Sequence, residues 1–181
     1  METTVKFAKV KEGAIIPSKR DEDMGFDIYA CFDELYIDIE PHETKLIPTG
    51  IASCCDSGYG FILRERSSTG PKGISLRSGV IDSGYRGEWF VCLTNTADEV
   101  LVISKLDKMS TACCLCGCDE EDFMLPEDEV DACMIYYPYS KAIAQALVIP
   151  VPKVIVEEID HEELQQISSE RGVGALGSSN K

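Results

Sequence analysis

Three stretches of this sequence carry side chains suited to chemistry on an anion. Arg66-Ser67-Ser68-Thr69-Gly70 sets a guanidinium beside hydroxyls and a glycine. A fork-shaped cation, hydroxyl donors and exposed backbone N–H groups are what phosphate oxygens bind. The neighbourhood is locally basic: residues 61–90 hold Arg64, Arg66, Lys72, Arg77 and Arg86 against Glu65, Asp82 and Glu88. Taken alone, Arg-Ser-Ser also fits an ordinary basic turn. The second stretch, Gly79-Val80-Ile81-Asp82-Ser83-Gly84-Tyr85-Arg86-Gly87, runs apolar residues into Asp-Ser-Gly, which reads as a hairpin turn. Its tip carries one carboxylate, Asp82, and one ring, Tyr85; a capping Asp with a partly exposed Tyr is the plainer alternative. The third is the end of the sequence, where Arg171 precedes a run rich in glycine and serine. By composition that run is a flexible terminus or wraps over something else.

The cysteines offer a fourth chemistry. There are 9, an odd number, and most read as reduced thiols. Cys113, Cys114, Cys116 and Cys118 lie close together with Cys133 further on. Their spacing is not that of two separated Cys-x-x-Cys pairs and no histidine is near, so free thiols are a plainer account than zinc. Charge narrows the partners. Lys and Arg total 17 against 32 Asp and Glu, a net charge of −15, which argues against a nucleic-acid backbone. No apolar run is long enough to span a bilayer. The start, Met1-Glu2-Thr3-Thr4, lacks a basic segment followed by an apolar one, so a cytoplasmic protein is expected.

The elements that must position these residues are strands. Strand-like runs recur at Val5-Lys6-Phe7, Leu35 to Ile39, Phe61 to Leu63, Trp89 to Leu93 and Val100 to Ile103, with clean period-two alternation over Leu35 to Ile39. Ile143 to Val156 is apolar but interrupted by Pro150 and Pro152, which predicts an edge or a bend. Turn signals punctuate the runs at Pro48-Thr49-Gly50, Asp56-Ser57-Gly58, Thr69-Gly70-Pro71 and Asp82-Ser83-Gly84. Amphipathic helices of about ten or more residues are missing. The expected fold is all-β, a distorted jelly roll or β-clip barrel of many short strands. Residues 106–140 break the pattern as a cysteine- and acid-rich insertion expected to be irregular. Its Cys118–Asp131 part holds 8 carboxylates and no base. The expected division is a β domain over 1–156 and a C-terminal arm over 157–181.

Together these stretches resemble the homotrimeric dUTPases at all five of that family's motifs, in order. They are Asp23-Met24-Gly25-Phe26-Asp27-Ile28-Tyr29-Ala30, then Arg66 to Gly73, then Gly79 to Gly87, then Ile143-Ala144-Gln145, then Arg171 to Ser179. The resemblance implies hydrolysis of dUTP to dUMP and pyrophosphate, with Mg²⁺ riding on the triphosphate and water attacking the α-phosphorus. It implies Asp82 as the general base, and Asp27 as a residue that holds the metal's water shell without touching the metal. Arg66, Ser67 and Ser68 would bind phosphate oxygens, as would Gln145 from another subunit's edge. Backbone groups between Gly79 and Gly87, Ile81 among them, would read uracil, while Tyr85 packs under the sugar and leaves no room for a 2′-hydroxyl.

In the fifth motif the resemblance makes the tail a lid. Arg171 would meet the γ-phosphate, Ser178 and Ser179 would donate to phosphate oxygens, and Gly177 would let the backbone come close. Leu176 stands where the family usually has an aromatic, giving up stacking worth on the order of 1 kcal/mol. Closure over a neighbour's site implies a homotrimer with arm exchange. Ser140-Lys141-Ala142 replaces the common Gly-Asp-Arg, so the support of Gln145 is rebuilt in this chain. The insertion over 106–140 is a candidate docking surface for a basic regulatory protein. Two other activities fit parts of the pattern: a relative of the dCTP deaminases, and a nucleotide-sensing regulator that binds dUTP without turning it over.

Overall fold

The computed structural model describes residues 3–116, 134–170 and 172. Among these the chain forms short strands: β1 Lys6–Lys9, β2 Gly25–Ile28, β3 Tyr36–Ile39, β4 Thr44–Pro48, β5 Ile51–Cys54 and β6 Tyr59–Arg64. They continue as β7 Ile74–Arg77, β8 Val80–Ile81, β9 Phe90–Asn95, β10 Val100–Ser104, β11 Met134–Pro138 and β12 Ala144–Pro150. Helices are short: α1 Lys108–Cys116, α2 His161–Gln166 and a 3-10 turn at Gly70–Lys72. The fold is the expected jelly-roll type of many short strands. By contacts the chain forms two units, one up to Val151 and one from Pro152. The second unit carries α2, whose first turn holds Glu162 and Glu163. No helix among the described residues is long and apolar enough to cross a membrane.

Four sheets make the first unit. Their strand orders are β2-β12-β6-β8, β4-β9-β7, β11-β10-β3 and β1-β5. Phe7, Phe61 and Trp89 meet at their centre, with Trp89 4.9 Å from Phe61 and 5.6 Å from Phe7, ring centre to ring centre and edge to face. Aromatic rings prefer this arrangement because positive edges meet negative faces. Ile28, Ile47, Leu93 and Ala146 complete the same core.

Two regular pieces lie inside the segment 106–140. β10 is apolar without alternation because both its faces are covered. Leu101 and Ile103 join the main core, while Val102 packs against Ala112 of α1 and Met134 of β11. β10 and β11 pair in parallel, Val100 opposite Met134. A parallel pair cannot be closed by a tight turn and requires a crossover of this kind. Asp107 caps α1 by accepting the Ser110 N–H at 2.9 Å.

β12 corrects the expectation of an edge or bend. It is a central strand, paired with β2 over Ala144–Leu147 and with β6 over Gln145–Pro150. Pro150 is tolerated because β2 has already ended where it stands, so its missing N–H removes no bond on that side.

Candidate active site

Gln145 and Asp27 lie 118 positions apart in sequence, yet β12 and β2 set them directly opposite one another. Arg66, just past the end of β6, reaches the same place. Its Nε is 3.0 Å from Asp27 Oδ1, its Nη2 donates to Oδ2 at 3.5 Å, and its Nη1 donates to the Ala142 carbonyl at 3.2 Å. Tyr137, buried in β11, donates its hydroxyl to that same carbonyl at 2.5 Å. Burial pushes the Tyr137 phenol above its ordinary 10.0, with Arg66 and Ser68 beside it pulling the other way. This chain of contacts supports the guanidinium where Gly-Asp-Arg is absent before the fourth motif.

The loop after β6 is closed by Thr69. Its Oγ1 accepts the Arg66 N–H and lies 3.0 Å from the Arg66 carbonyl, and its own N–H donates to that carbonyl at 3.0 Å. Ser67 and Ser68 are exposed at the tip, and the Ser68 hydroxyl accepts from Arg66 Nη1 at 3.5 Å. Gln145 Nε2 donates to the Glu65 carbonyl at 2.7 Å. The Glu65 carboxylate accepts the Leu76 N–H at 3.0 Å, tying β6 to β7. Its own backbone N–H, then that of Leu76, holds the Glu65 carboxyl below the ordinary 4.5, against the pull of burial. Gly25 leaves room for Gln145: a Cβ there would lie 2.8 Å from the Gln145 Oε1.

Asp27, Arg66, Ser67 and Gln145 face an open, largely polar cleft of about 650 Å³, with Lys19 and Arg20 on its far wall. Arg20 is held by Asp23 through two contacts of 2.9 Å, and this hydrogen-bonded pair keeps the Asp23 carboxyl below its usual range. Thr69 and Gly25 lie inside motifs marked in the sequence but were given no role there, and Lys19, Arg20 and Tyr137 lie outside every marked motif. Only Lys19 and Arg20 left a signal, as adjacent bases just ahead of the first motif.

Asp82 and Tyr85 sit elsewhere. β8 pairs with β6, Ile81 opposite Phe61, and Gly79 accepts the Leu63 N–H at 2.8 Å. Gly79 has φ +136°, and a Cβ there would lie 3.0 Å from the Leu63 carbonyl oxygen, so only glycine fits. The turn that follows is real, with the Tyr85 N–H donating to the Asp82 carbonyl at 3.1 Å. It is not a hairpin. Beyond it the chain leaves for another sheet, because Trp89 N–H donates to the Ile51 carbonyl and Thr49 donates to that of Trp89. β8 is therefore an edge strand of its sheet.

Asp82 lines a small groove with Tyr59, Phe61 and Ile149, apart from the Arg66 cleft. Gly60, the position next to the Phe61–Ile81 pair, and Arg66 are separated by 6 residues, about 20 Å of extended strand. One chain does not bring the carboxylate of the third motif to the guanidinium of the second. Arg171, Leu176, Gly177, Ser178 and Ser179 lie outside the described residues, as do Cys118 and Cys133. Among the described residues no three His, Cys, Asp or Glu converge as a metal site, and Cys114 is free and exposed.

The dUTPase family model matches residues 11–117. A deoxyuridine 5′-triphosphate nucleotidohydrolase of Nautilia profundicola is 33% identical over 181 residues, covering 98% of this chain and 99% of its own. One from Wolbachia pipientis subsp. Culex pipiens is 31% identical over 183 residues, covering 98% and 95%. The dUTPase of Staphylococcus bacteriophage 80alpha, solved with dUpNHpp, superposes with a TM-score of 0.69 at 20% identity, covering 98% of this chain and 99% of that one. The dUTPase of phage phi11 of S. aureus, solved to visualise a species-specific insert, gives 0.61 at 19%, covering 87% and 97%. Those two likenesses are of fold. The chain belongs to the dUTPase family.

Proposed function

We propose that the protein hydrolyses dUTP to dUMP and pyrophosphate, with Asp82 as general base and the triphosphate held in the Arg66 cleft. The cluster of Arg66, Asp27 and Gln145 facing an open polar cleft carries this reading, since it offers cation, amide and hydroxyl donors to phosphate oxygens. Asp82 takes a proton from water as the water oxygen bonds to the α-phosphorus. The bond from that phosphorus to the α,β-bridging oxygen breaks, and pyrophosphate leaves with the electron pair. Arg66, Ser67 and Gln145 hold the phosphates in line for this attack.

Mg²⁺ suits the donor set. Asp27 is already engaged by Arg66, and among the described residues no cage of three carboxylates surrounds it. Such a site fits an ion that keeps its waters and arrives on the phosphates, with Asp27 steadying the water shell. When bound, the ion neutralises charge on the phosphate oxygens. The backbone of β8 supports uracil recognition, since groups on the outer edge of an edge strand are not used by the sheet. Tyr85, 44% exposed beside them, is the sugar gate.

The active unit is a homotrimer in which one chain's Asp82 faces another's Arg66 cleft, and the arm beyond residue 170 closes over the pair. The separation of the two clusters within one chain supports this. The test is Asp82→Asn: pyrophosphate release from dUTP is expected to fall by about 10²-fold or more while dUTP still binds. Release at the unsubstituted rate would overturn the assignment of the base.

A further inference from the structure

We infer that Gly87 is the positioning residue that seats Tyr85, and so sets the choice between deoxyribonucleotide and ribonucleotide; this rests on the reading of Tyr85 as the sugar gate. The Tyr85 ring folds back over its own turn and its hydroxyl donates to the Glu88 carbonyl at 3.0 Å. The space it occupies exists because residue 87 has no side chain. A Cβ there would lie 2.3 Å from the Tyr85 hydroxyl oxygen, 2.6 Å from Cζ and 3.0 Å from Cε2. Any other residue at 87 evicts the ring.

The requirement is separate from the fold. Gly87 is not among the glycines with positive φ, so an alanine meets no backbone strain. The atoms it would strike are the far end of one half-exposed side chain rather than backbone. Everything else about the seat is held. Arg86 Nη1 donates to the carbonyls of Ser83 at 2.6 Å, Tyr85 at 2.9 Å and Ser53 at 3.3 Å. The Glu88 carboxylate accepts the Gly50 N–H at 2.7 Å. With the floor fixed, a methyl at 87 displaces the ring from this seat, and with it the position from which it would screen the sugar's 2′ carbon.

The experiment compares kcat/KM for dUTP and UTP in the full-length protein, Gly87→Ala, Tyr85→Ala and the double variant, with a melting curve for each. Gly87→Ala is expected to melt within a few degrees of the parent and to lower the dUTP-over-UTP preference about tenfold, the scale on which steric pockets discriminate a hydroxyl. The double variant is expected to match Tyr85→Ala within about twofold, because both changes act through one ring. If the preference collapses in Tyr85→Ala but survives in Gly87→Ala, or if the double variant loses a further tenfold or so, the inference is overturned and the sugar gate stands. If Tyr85→Ala keeps the preference, the sugar gate falls and the inference with it. Should Gly87→Ala fail to fold, Tyr85→Phe removes only the bond to Glu88; a preference lowered by about twofold or more supports the seat, and an unchanged one overturns it.

Discussion

The Arg66 guanidinium is already shared among four acceptors: both oxygens of Asp27, the carbonyl of Ala142 and the Ser68 hydroxyl. The planar fork that makes those contacts also keeps its exposed edge aimed at the cleft. A lysine has the charge but cannot hold a bidentate partner and a carbonyl at once. Arg66→Lys is therefore expected to lower kcat/KM for dUTP by about 10- to 100-fold, the worth of one or two charged hydrogen bonds. Pyrophosphate release under steady-state conditions measures it, and an unchanged value removes Arg66 from phosphate binding. The residue type was legible from the Arg-Ser-Ser run. Its partners were not, because Asp27 and Ala142 are 39 and 76 positions away and become neighbours only when β2, β6 and β12 are laid side by side.

Elements decide how these side chains are carried. Apolar patterning located β1, β3, β6, β9 and β10 but left β2, β4, β5, β7 and β11 unmarked. It misjudged β12, whose proline stands beyond the end of its neighbour, and the third motif, whose turn joins two sheets instead of closing a hairpin. The join between β6, β7 and β12 runs through Glu65, and its titration is a measure of that join. Its folded carboxyl titrates below the unfolded 4.5, so its stabilisation is complete above that value and is lost as pH falls through the folded one. Glu65→Gln is expected to melt below the parent near pH 7, with the gap closing as pH drops to about 3; a gap constant with pH would show the carboxylate idle. Gly25→Ala tests the β2–β12 contact, because the added Cβ presses on the Gln145 side chain. A severalfold rise in KM for dUTP is expected, on the order of 1 kcal/mol of lost positioning.

At the scale of the whole molecule, the proposed mechanism needs a second chain to bring an Asp82 to the Arg66 cleft. Asp82→Asn and Arg66→Ala are each expected to be inactive alone. Unfolded together and refolded as a mixture, they should regain activity at about a quarter of the sites, those pairing an intact Asp82 with an intact Arg66. No recovery from a mixture shown by mass to contain mixed trimers would mean that each chain works by itself. Truncation after residue 170 removes the arm's Arg171, Ser178 and Ser179. It is expected to cut kcat by about tenfold or more while leaving the trimer intact, as loss of a closing lid does.

Chemistry and strand content were properties of the chain alone. Which residue types meet phosphate, which stretch turns, which runs alternate and which family's motifs recur are all local facts, written in spans of ten residues or fewer. Tertiary structure decided everything that depends on non-local pairing. It set Gln145 opposite Asp27, lent the Ala142 carbonyl to Arg66 and Tyr137 alike, and buried one face of β10 in the main core and the other beneath α1. It also held Asp82 about 20 Å of strand away from Arg66. Register between strands far apart in sequence is selected by the shared core they bury, and no single strand carries that information.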